Sequence, residues 1–235
     1  MGTLREFQAR HDLSMEALCG RILDRHQATI RVKKPAVAVA NLGRIIETTL
    51  DLANRKGFHS MSLRDLTERS GLSMGALYTY FDSKETLLLM ILGQVTGVAE
   101  EVLQQAADVP ADPAERLRWL LETHIYLTEV MHPWFVFAFM EAKAFPKTSR
   151  DMAVASELLT EGLIAGALLA GQETGQFVLE DATMTAALIK PLLQDWYIKR
   201  GKHRRRGLTP EDYVRQVIKF TERAVGRCCP LTGAG

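Results

Sequence analysis

The sequence predicts an all-α protein, and two observations support that prediction. No stretch shows the sustained alternation of β-branched and polar residues that a half-buried strand requires. Gly and Pro instead divide the chain into segments of helical length, in which apolar residues recur at helical spacing. We therefore expect an N-terminal three-helix domain with a helix-turn-helix, followed by a larger C-terminal helical domain.

The composition is typical of a globular protein without a membrane span. The chain has 235 residues, of which 47% are hydrophobic and 24% charged, and this length allows a sizeable core. The apolar runs stop short of membrane-spanning length, and charges at Arg5, Glu6 and Arg10 argue against a signal peptide. Three cysteines do not make a disulfide framework. These features predict a cytoplasmic protein with no membrane partner.

The net charge of +1 conceals an uneven distribution. Residues 94–198 contain 6 basic and 15 acidic residues, residues 41–93 contain 6 of each, and residues 199–206 contain 6 basic and no acidic residues. Such asymmetry often separates a charged-ligand face from the rest of a protein. A nearly neutral total therefore does not exclude nucleic-acid binding, but affinity should then depend on a few placed phosphate contacts and on dimerisation.

Two short helices with the layout of a helix-turn-helix are expected within residues 41–93. Ser62 has the spacing to Asp65 of a capping box that begins a helix, and Gly71 ends that helix. Ser73 can cap the second helix, which we expect to run to residue 81. Such short helices must pack as a cluster, and in this motif the second helix enters the major groove of DNA.

A helical wheel of the second helix separates an anchoring face from an outward face. At about 100° per residue, Leu77 and Phe81 fall on the anchoring side. The outward residues are Gly75, Ala76, Tyr78 and Thr79. Small residues let a helix lie close to DNA, and a threonine can contact a base. The hydroxyls of Tyr78 and Tyr80 can reach phosphates.

Basic side chains around the motif can add phosphate contacts. Lys84 lies near the start of the following helix, where the charge and the helix N-terminus both attract phosphate. Arg64 lies in the first turn of the first motif helix. Arg31, Lys33 and Lys34 precede the domain and can act as a basic arm.

The stretch from Ile45 to Leu92 resembles the DNA-binding domain of TetR-family (TetR/AcrR) transcriptional regulators. Its Gly-Phe turn, Ser helix start, Gly-Leu-Ser turn and Tyr-x-x-Phe-x-x-Lys run all have the spacing of that family. The resemblance implies phosphate contacts by Tyr78, Tyr80 and Lys84. It implies phosphate or base contacts at Ser62, Arg64, Ser73, Gly75, Ala76 and Thr79.

The resemblance also implies that residues 94–228 bind a ligand and mediate dimerisation. Helices are expected at 113–131, 133–144, 149–174, 180–200 and 209–226, with Pro191 kinking or interrupting the fourth. Pockets are lined mainly by apolar and aromatic groups, and the aromatic residues concentrate between residues 113 and 145. The ligand-binding candidates are Trp119, Thr123, Tyr126, Phe135, Phe139 and Met140. They favour a small, largely apolar effector, although each aromatic can instead belong to the core.

A homodimer on a palindromic operator is expected, because one helix-turn-helix reads too few bases alone. The residues expected to pair with a second copy are Leu188, Leu192, Leu193, Tyr197, Tyr213, Val217 and Phe220. The basic run at 199–206 between those helices is interpreted as a solvated or acid-paired loop. A phosphate-bearing ligand or an acidic partner is the alternative for that run.

Residues 1–40 depart from the family, whose members mostly begin just before the first helix of the DNA-binding domain. Residues 1–40 predict an added helical arm, a short helix and then an amphipathic one, that packs on the DNA-binding domain or on a partner subunit. Residues 229–235 are expected to be a flexible tail.

No catalytic, metal-binding or cofactor-binding constellation stands out in the sequence. The predicted function is therefore a one-component DNA-binding transcriptional regulator, a repressor that a small effector releases from double-stranded operator DNA. The alternative is an all-helical small-molecule-binding or enzymatic protein whose helix-turn-helix is only structural.

Overall fold

The computed structural model describes residues 2–105, 109–142 and 145–226, and within them every regular element is a helix. These elements are α1 (Leu4–Arg10), α2 (Met15–Arg25), α3 (Pro35–Lys56), α4 (Leu63–Ser70), α5 (Met74–Leu77), α6 (Lys84–Gln104), α7 (Pro113–Val130), α8 (His132–Met140), α9 (Lys147–Glu173), α10 (Ala182–Ile198), α11 (Arg200–Arg205) and α12 (Pro210–Ala224). The all-α prediction is confirmed.

The chain divides into two compact units that differ from the expected domain ranges. One unit, called the head below, comprises His11–Val98 and Met131–Val154. The other unit, called the body, comprises the described residues of Met1–Arg10, Ala99–Val130 and Ala155–Gly235. Helix α8 groups with the head because it packs against α3. The tail expected at 229–235 lies outside the described residues.

Helix α3 is the central support of the head. It begins with Pro35 at its first position and ends at Gly57, whose N–H donates to the carbonyl of Ala53 at 2.8 Å. Its apolar face, including Ile45 and Leu50, is buried. Helices α2, α4 and α8 all pack against it. Helix α3, the first helix of the motif domain, therefore starts before residue 41. It is the helix against which other helices of the head pack.

The N-terminal extension is helical, as expected, and its two helices belong to different units. Helix α2 begins at Ser14, whose side chain accepts the N–H of Ala17 at 3.2 Å, and it packs along α3 in the head. Helix α1 packs on α7 in the body, where the rings of Phe7 and Tyr126 lie 6.0 Å apart. The hydroxyl of Tyr126 also donates to the carbonyl of Gly2 at 3.0 Å.

The core of the body contains a buried pair of nitrogen bases. Helices α7, α10 and α12 pack together, and the Lys190 ammonium lies 3.0 Å from Nε2 of His124. Burial lowers the pKa of Lys190 to about 8, although Glu157 and Glu161 oppose that shift. Burial, followed by the charge of Lys190, lowers the pKa of His124 well below its ordinary value. The imidazole is therefore neutral and accepts from the ammonium.

The basic run at 199–206 forms the short helix α11 rather than the expected loop, and carboxylates pair with it. Asp195 lies 2.6 Å from Lys199, 2.8 Å from Lys202 and 2.7 Å from His203. Glu129 pairs with Arg200 and Arg204. Partial burial raises the pKa of Asp195, but hydrogen bonds from its three partners outweigh burial and hold it far below the ordinary value. The structure thus favours the acid-paired interpretation of this run.

Pro191 and the two most apolar helices bear on two further expectations. Helix α10 continues from Ala182 to Ile198 with Pro191 inside it, so the proline does not interrupt it. Helices α6 and α9 are long and apolar enough to cross a membrane by length and composition alone, although no uninterrupted apolar run reaches that length. Most of the apolar window of α6 is buried, as in the core helix of a soluble protein.

Candidate nucleic-acid interface

A capping box fixes the start of α4. The hydroxyl of Ser62 accepts the N–H of Asp65 at 3.1 Å, and the Asp65 carboxylate accepts the N–H of Ser62 at 2.7 Å. Lys56 lies 2.6 Å from the same carboxylate. Hydrogen bonds from Lys56 and then Ser62 hold the pKa of Asp65 far below its ordinary value. Arg64, in the first turn of this helix, is exposed.

Gly71 and Arg44 shape the turn between the two motif helices. Gly71 has a φ of +68°, and its N–H donates to the carbonyl of Thr67 at 3.0 Å. That left-handed conformation favours glycine. A Cβ atom there would also lie 2.8 Å from a nitrogen of Arg44, whose guanidinium donates to the carbonyl of Ser70. No sequence pattern indicates this role of Arg44, because its partner Ser70 lies 26 residues away.

The second motif helix is shorter than expected. Helix α5 covers Met74–Leu77 after the Ser73 cap, whose side chain accepts the N–H of Ala76 at 3.2 Å. Beyond it, Thr79 donates its N–H to the carbonyl of Ala76 at 3.1 Å, and Tyr80 donates to that of Leu77 at 2.9 Å. These bonds span three residues, so the last turn is tighter than an α-helix.

The outward face of this segment carries small side chains and one large exposed side chain. Leu77 and Phe81 are buried, in agreement with the wheel. A Cβ atom at Gly75 would have no neighbour within 4 Å, whereas Tyr78 is 49% exposed. Ala76 and Thr79 are partly exposed, and Ser73 is exposed. Such a surface allows close approach of a flat or grooved partner, with a phenol hydroxyl available beside it.

Tyr80 departs from its predicted role as a phosphate contact. Its side chain is only 1% exposed, and its hydroxyl accepts a hydrogen bond from Nδ2 of Asn41 at 2.9 Å. At three residues after Leu77 it turns toward the anchoring side rather than outward. Burial raises its pKa, although the bond from Asn41 opposes that shift. The structure therefore places Tyr80 in the packing between α3 and the motif.

Lys84 also departs from its predicted role. Its ammonium donates to the carbonyls of Phe58 at 2.8 Å and His59 at 3.0 Å, and to that of Met61. A lysine has three donors, so all of them are used. Burial is the main cause that lowers the pKa of Lys84, while Asp65 opposes it. Lys84 thus ties the start of α6 to the segment between α3 and α4.

Helix α8 contacts the same segment through residues that the sequence did not single out for this site. The Glu141 carboxylate accepts the N–H of Phe58 at 3.0 Å. The rings of Phe58 and Phe137 meet edge to face, with centroids 5.5 Å apart. A groove of about 440 Å³ beside these contacts is lined in part by Lys84 and Phe145. Only the fold brings these residues together, because α8 follows the motif by more than 50 residues.

The predicted ligand-binding residues are divided between the two units. Trp119, Thr123 and Tyr126 lie on α7 in the body, and Phe135, Phe139 and Met140 lie on α8 in the head. Thr123, Tyr126 and Phe135 are buried, whereas Phe139 and Met140 are exposed. The N-terminal segment already covers Tyr126. The assignment of these six residues to a ligand site stays a prediction.

Two family models match the chain and together cover more than half of it. The model of the bacterial regulatory proteins of the tetR family matches residues 45–91. The model of the tetracyclin repressor-like C-terminal domain matches residues 110–224. The first match contains the motif described above, and the second contains α7 and the helices that follow it.

Proteins similar in sequence include HTH-type transcriptional repressors named KstR. The one from Mycolicibacterium smegmatis is 32% identical over 102 residues, which are 40% of this chain and 50% of that protein. The one from Rhodococcus jostii is 27% identical over 197 residues, which are 73% of this chain and 86% of that protein. The chain spans about half to three fifths of the length of the two mycobacterial KstR proteins that it matches.

A solved structure has the same fold. It is that of a bacterial regulatory protein in the tetR family from Rhodococcus RHA1, with a TM-score of 0.71 and 19% identity, covering 80% of this chain and 97% of that chain. The capped helix-turn-helix, the helical body and the two matching family models agree with one another. The chain belongs to the TetR family of bacterial regulatory proteins.

Proposed function

We propose that this chain is a one-component, DNA-binding transcriptional repressor that a small effector releases from a palindromic operator. The observation that supports this most directly is the outward face of α5, which is small, exposed and held on a buried anchor. The similarity to repressors named KstR points in the same direction. The proposal contains no catalytic step.

The DNA contacts are assigned by exposure. Gly75, Ala76 and Thr79 face the bases, because small residues and a threonine permit close approach and direct contact in the major groove. Tyr78 contacts a phosphate through its exposed hydroxyl. Exposed polar or basic side chains at the two helix starts add to these contacts at Ser62, Arg64 and Ser73. Tyr80 and Lys84 support this surface from within.

A second copy of the chain is proposed to cover the outer sides of α10 and α12. Leu188 is 68% exposed and Phe220 is 61% exposed, as expected for residues that a partner buries. Met184, one turn before Leu188, is exposed as well. The other residues predicted for the interface, Leu193, Tyr197, Tyr213 and Val217, are already buried within the chain, and Leu192 is partly buried. The proposed dimer contact therefore involves fewer residues than the sequence predicted.

Release of DNA is proposed to follow from a shift between two conformations of the dimer. An effector changes DNA affinity only if it binds the two conformations with different affinities. The contacts of α8 with the Phe58 segment link a helix distant in sequence to the start of the motif. The concentration of aromatic residues between residues 113 and 145 favours a largely apolar effector. A cytoplasmic location fits a repressor of transcription.

A gel-shift assay with the promoter region upstream of the chain's own gene tests the proposal. We expect a sequence-selective complex whose affinity falls as salt concentration rises, because phosphate contacts release counterions. Absence of any salt-sensitive, sequence-selective complex across several conditions would overturn the proposal. Native mass spectrometry of the purified protein then identifies a co-purified effector, and adding that compound should dissociate the complex.

A further inference from the structure

The basic side chains of residues 31–93 fall into two groups, engaged and free. The engaged side chains are Arg44 on the Ser70 carbonyl, Arg55 and Arg69 on Asp51, Lys56 on Asp65, and Lys84 on three carbonyls. Arg31, Lys33, Lys34 and Arg64 are exposed and form no side-chain hydrogen bond or ion pair in this fully described stretch. Three of the four free cations therefore lie within four residues of one another.

A backbone hydrogen bond fixes this short basic segment beside the second motif helix. The N–H of Arg31 donates to the carbonyl of Thr79 at 2.8 Å. Thr79 is the last outward residue of the face assigned to the bases, so the segment begins where that face ends. The buried side chain of Ile30 anchors the segment on one side, and α3 begins at Pro35 on the other. The three cations are thus held at the edge of the recognition surface.

Placement and charge together assign a role to this segment. A helix in the major groove has phosphate backbones along both edges of the groove, and cations beside it gain affinity by releasing counterions. The engaged cations are already neutralised by carboxylates or bound to carbonyls, so they contribute less. We propose that residues 31–34 form a second DNA-contacting element that binds the phosphate backbone next to the groove entered by α5. This inference rests on the proposed DNA-binding function.

The salt dependence of DNA affinity tests the proposal. In the variant Lys33→Gln/Lys34→Gln the observed slope of log affinity against log salt should shrink by about 1.8 per subunit, since each phosphate contact contributes about 0.9. Affinity in about 0.1 M salt should fall at least about tenfold. Operator and unrelated duplex DNA should be affected alike, because phosphate contacts carry no sequence information.

A control variant with the same loss of charge separates a local contact from a general charge effect. Arg205→Gln/Arg206→Gln removes two exposed cations at the end of α11 in the body and should keep the slope of the natural protein. The proposal is overturned if Lys33→Gln/Lys34→Gln keeps that slope or if both variants change it equally. It is also overturned if the loss of affinity is confined to operator DNA. If the natural protein itself shows no salt-dependent DNA binding, the proposed function fails as well.

The backbone tie to Thr79 has its own test. Arg31→Gln and Arg31→Pro remove the same charge, but only the proline also removes the N–H that donates to Thr79. We expect Arg31→Pro to weaken DNA binding severalfold more than Arg31→Gln, under conditions in which circular dichroism shows both variants to be folded. Equal DNA affinities of the two variants would show that the hydrogen bond to Thr79 does not position residues 31–34, and would overturn this part of the proposal.

Discussion

The ammonium of Lys84 lies 2.8 Å from the carbonyl oxygen of Phe58 and 4.9 Å from the centroid of its ring. One side chain thereby contacts both the backbone and the aromatic face of a single residue. Phe58 also donates its N–H to Glu141 and packs on Phe137. The segment that precedes the motif is therefore held by α6 and α8 together.

Replacement of Lys84 should mainly lower the stability of the fold, with a smaller effect on DNA contacts. In Lys84→Met three carbonyls lose a charged donor, which should reduce the free energy of unfolding by about 2 kcal/mol. Urea unfolding monitored by circular dichroism measures the change. The matched control is Lys33→Met, an exposed lysine with no partner, which should leave stability within about 0.5 kcal/mol of the natural protein. Equal stabilities for the two variants would contradict the assigned role of Lys84.

Tyr78 and Tyr80 should respond in opposite ways to loss of the hydroxyl. Tyr78→Phe removes an exposed hydroxyl and should weaken operator binding by about fivefold to tenfold without changing stability, since the proposed hydrogen bond to a charged phosphate loses its donor. Tyr80→Phe breaks the bond from Asn41 and should cost about 1 kcal/mol of stability with little change in affinity. Gel shifts and thermal unfolding on both variants measure the two effects. The reverse pattern would show that the two roles are exchanged.

Charge on the exposed face of α10 should prevent dimerisation. Leu188→Glu places a carboxylate where we propose that a second copy packs, and burial of an unpaired charge costs several kcal/mol. Sedimentation velocity at micromolar concentration should show monomers, with operator affinity lost in parallel. The control Val178→Glu changes an equally exposed apolar residue outside α10 and α12 and should leave the oligomeric state unchanged. A dimeric Leu188→Glu variant would place the interface elsewhere.

Lys190 should make stability rise with pH in the alkaline range. Its pKa is about 8 in the folded chain against an ordinary value of 10.5, so the unfolded chain binds more protons between these values. The contribution of Lys190 to the free energy of unfolding therefore increases as pH rises from about 8 toward 10.5, and this gain is lost again as pH falls back to about 8.

The comparison with Lys190→Met isolates this effect. Between pH 7.5 and 9.5 the natural protein should gain on the order of 1–2 kcal/mol relative to the variant. Cys19, Tyr197 and Tyr213, whose pKa values burial raises, act in the opposite direction, but they are common to both proteins and cancel in the comparison. Lys219→Met, at an exposed lysine on α12, should follow the natural protein. Parallel curves for Lys190→Met and the natural protein would contradict the lowered pKa.

Local features of the head follow from the sequence because their partners are close along the chain. The caps at Ser62 and Ser73 bond to N–H groups three residues later. Gly71 donates to a carbonyl four residues earlier. The burial of Leu77 and Phe81 depends on helical period alone. Hydrogen bonds within one turn constrain residue types at fixed spacings, so the motif and the all-α class could be predicted.

Only the tertiary structure decided the roles of Tyr80 and Lys84 and the place of α8. Lys84 finds acceptors 23 to 26 residues earlier, and Glu141 finds a donor 83 residues earlier. Arg31, Lys33 and Lys34 were recognisable as basic, but the bond to Thr79, 48 residues away, places them at the recognition surface. A side chain's partner across such distances depends on how the helices pack, and that packing has no fixed spacing in the sequence. The sequence by itself therefore determined the motif, and the packing determined which of the charges near it are left without a partner.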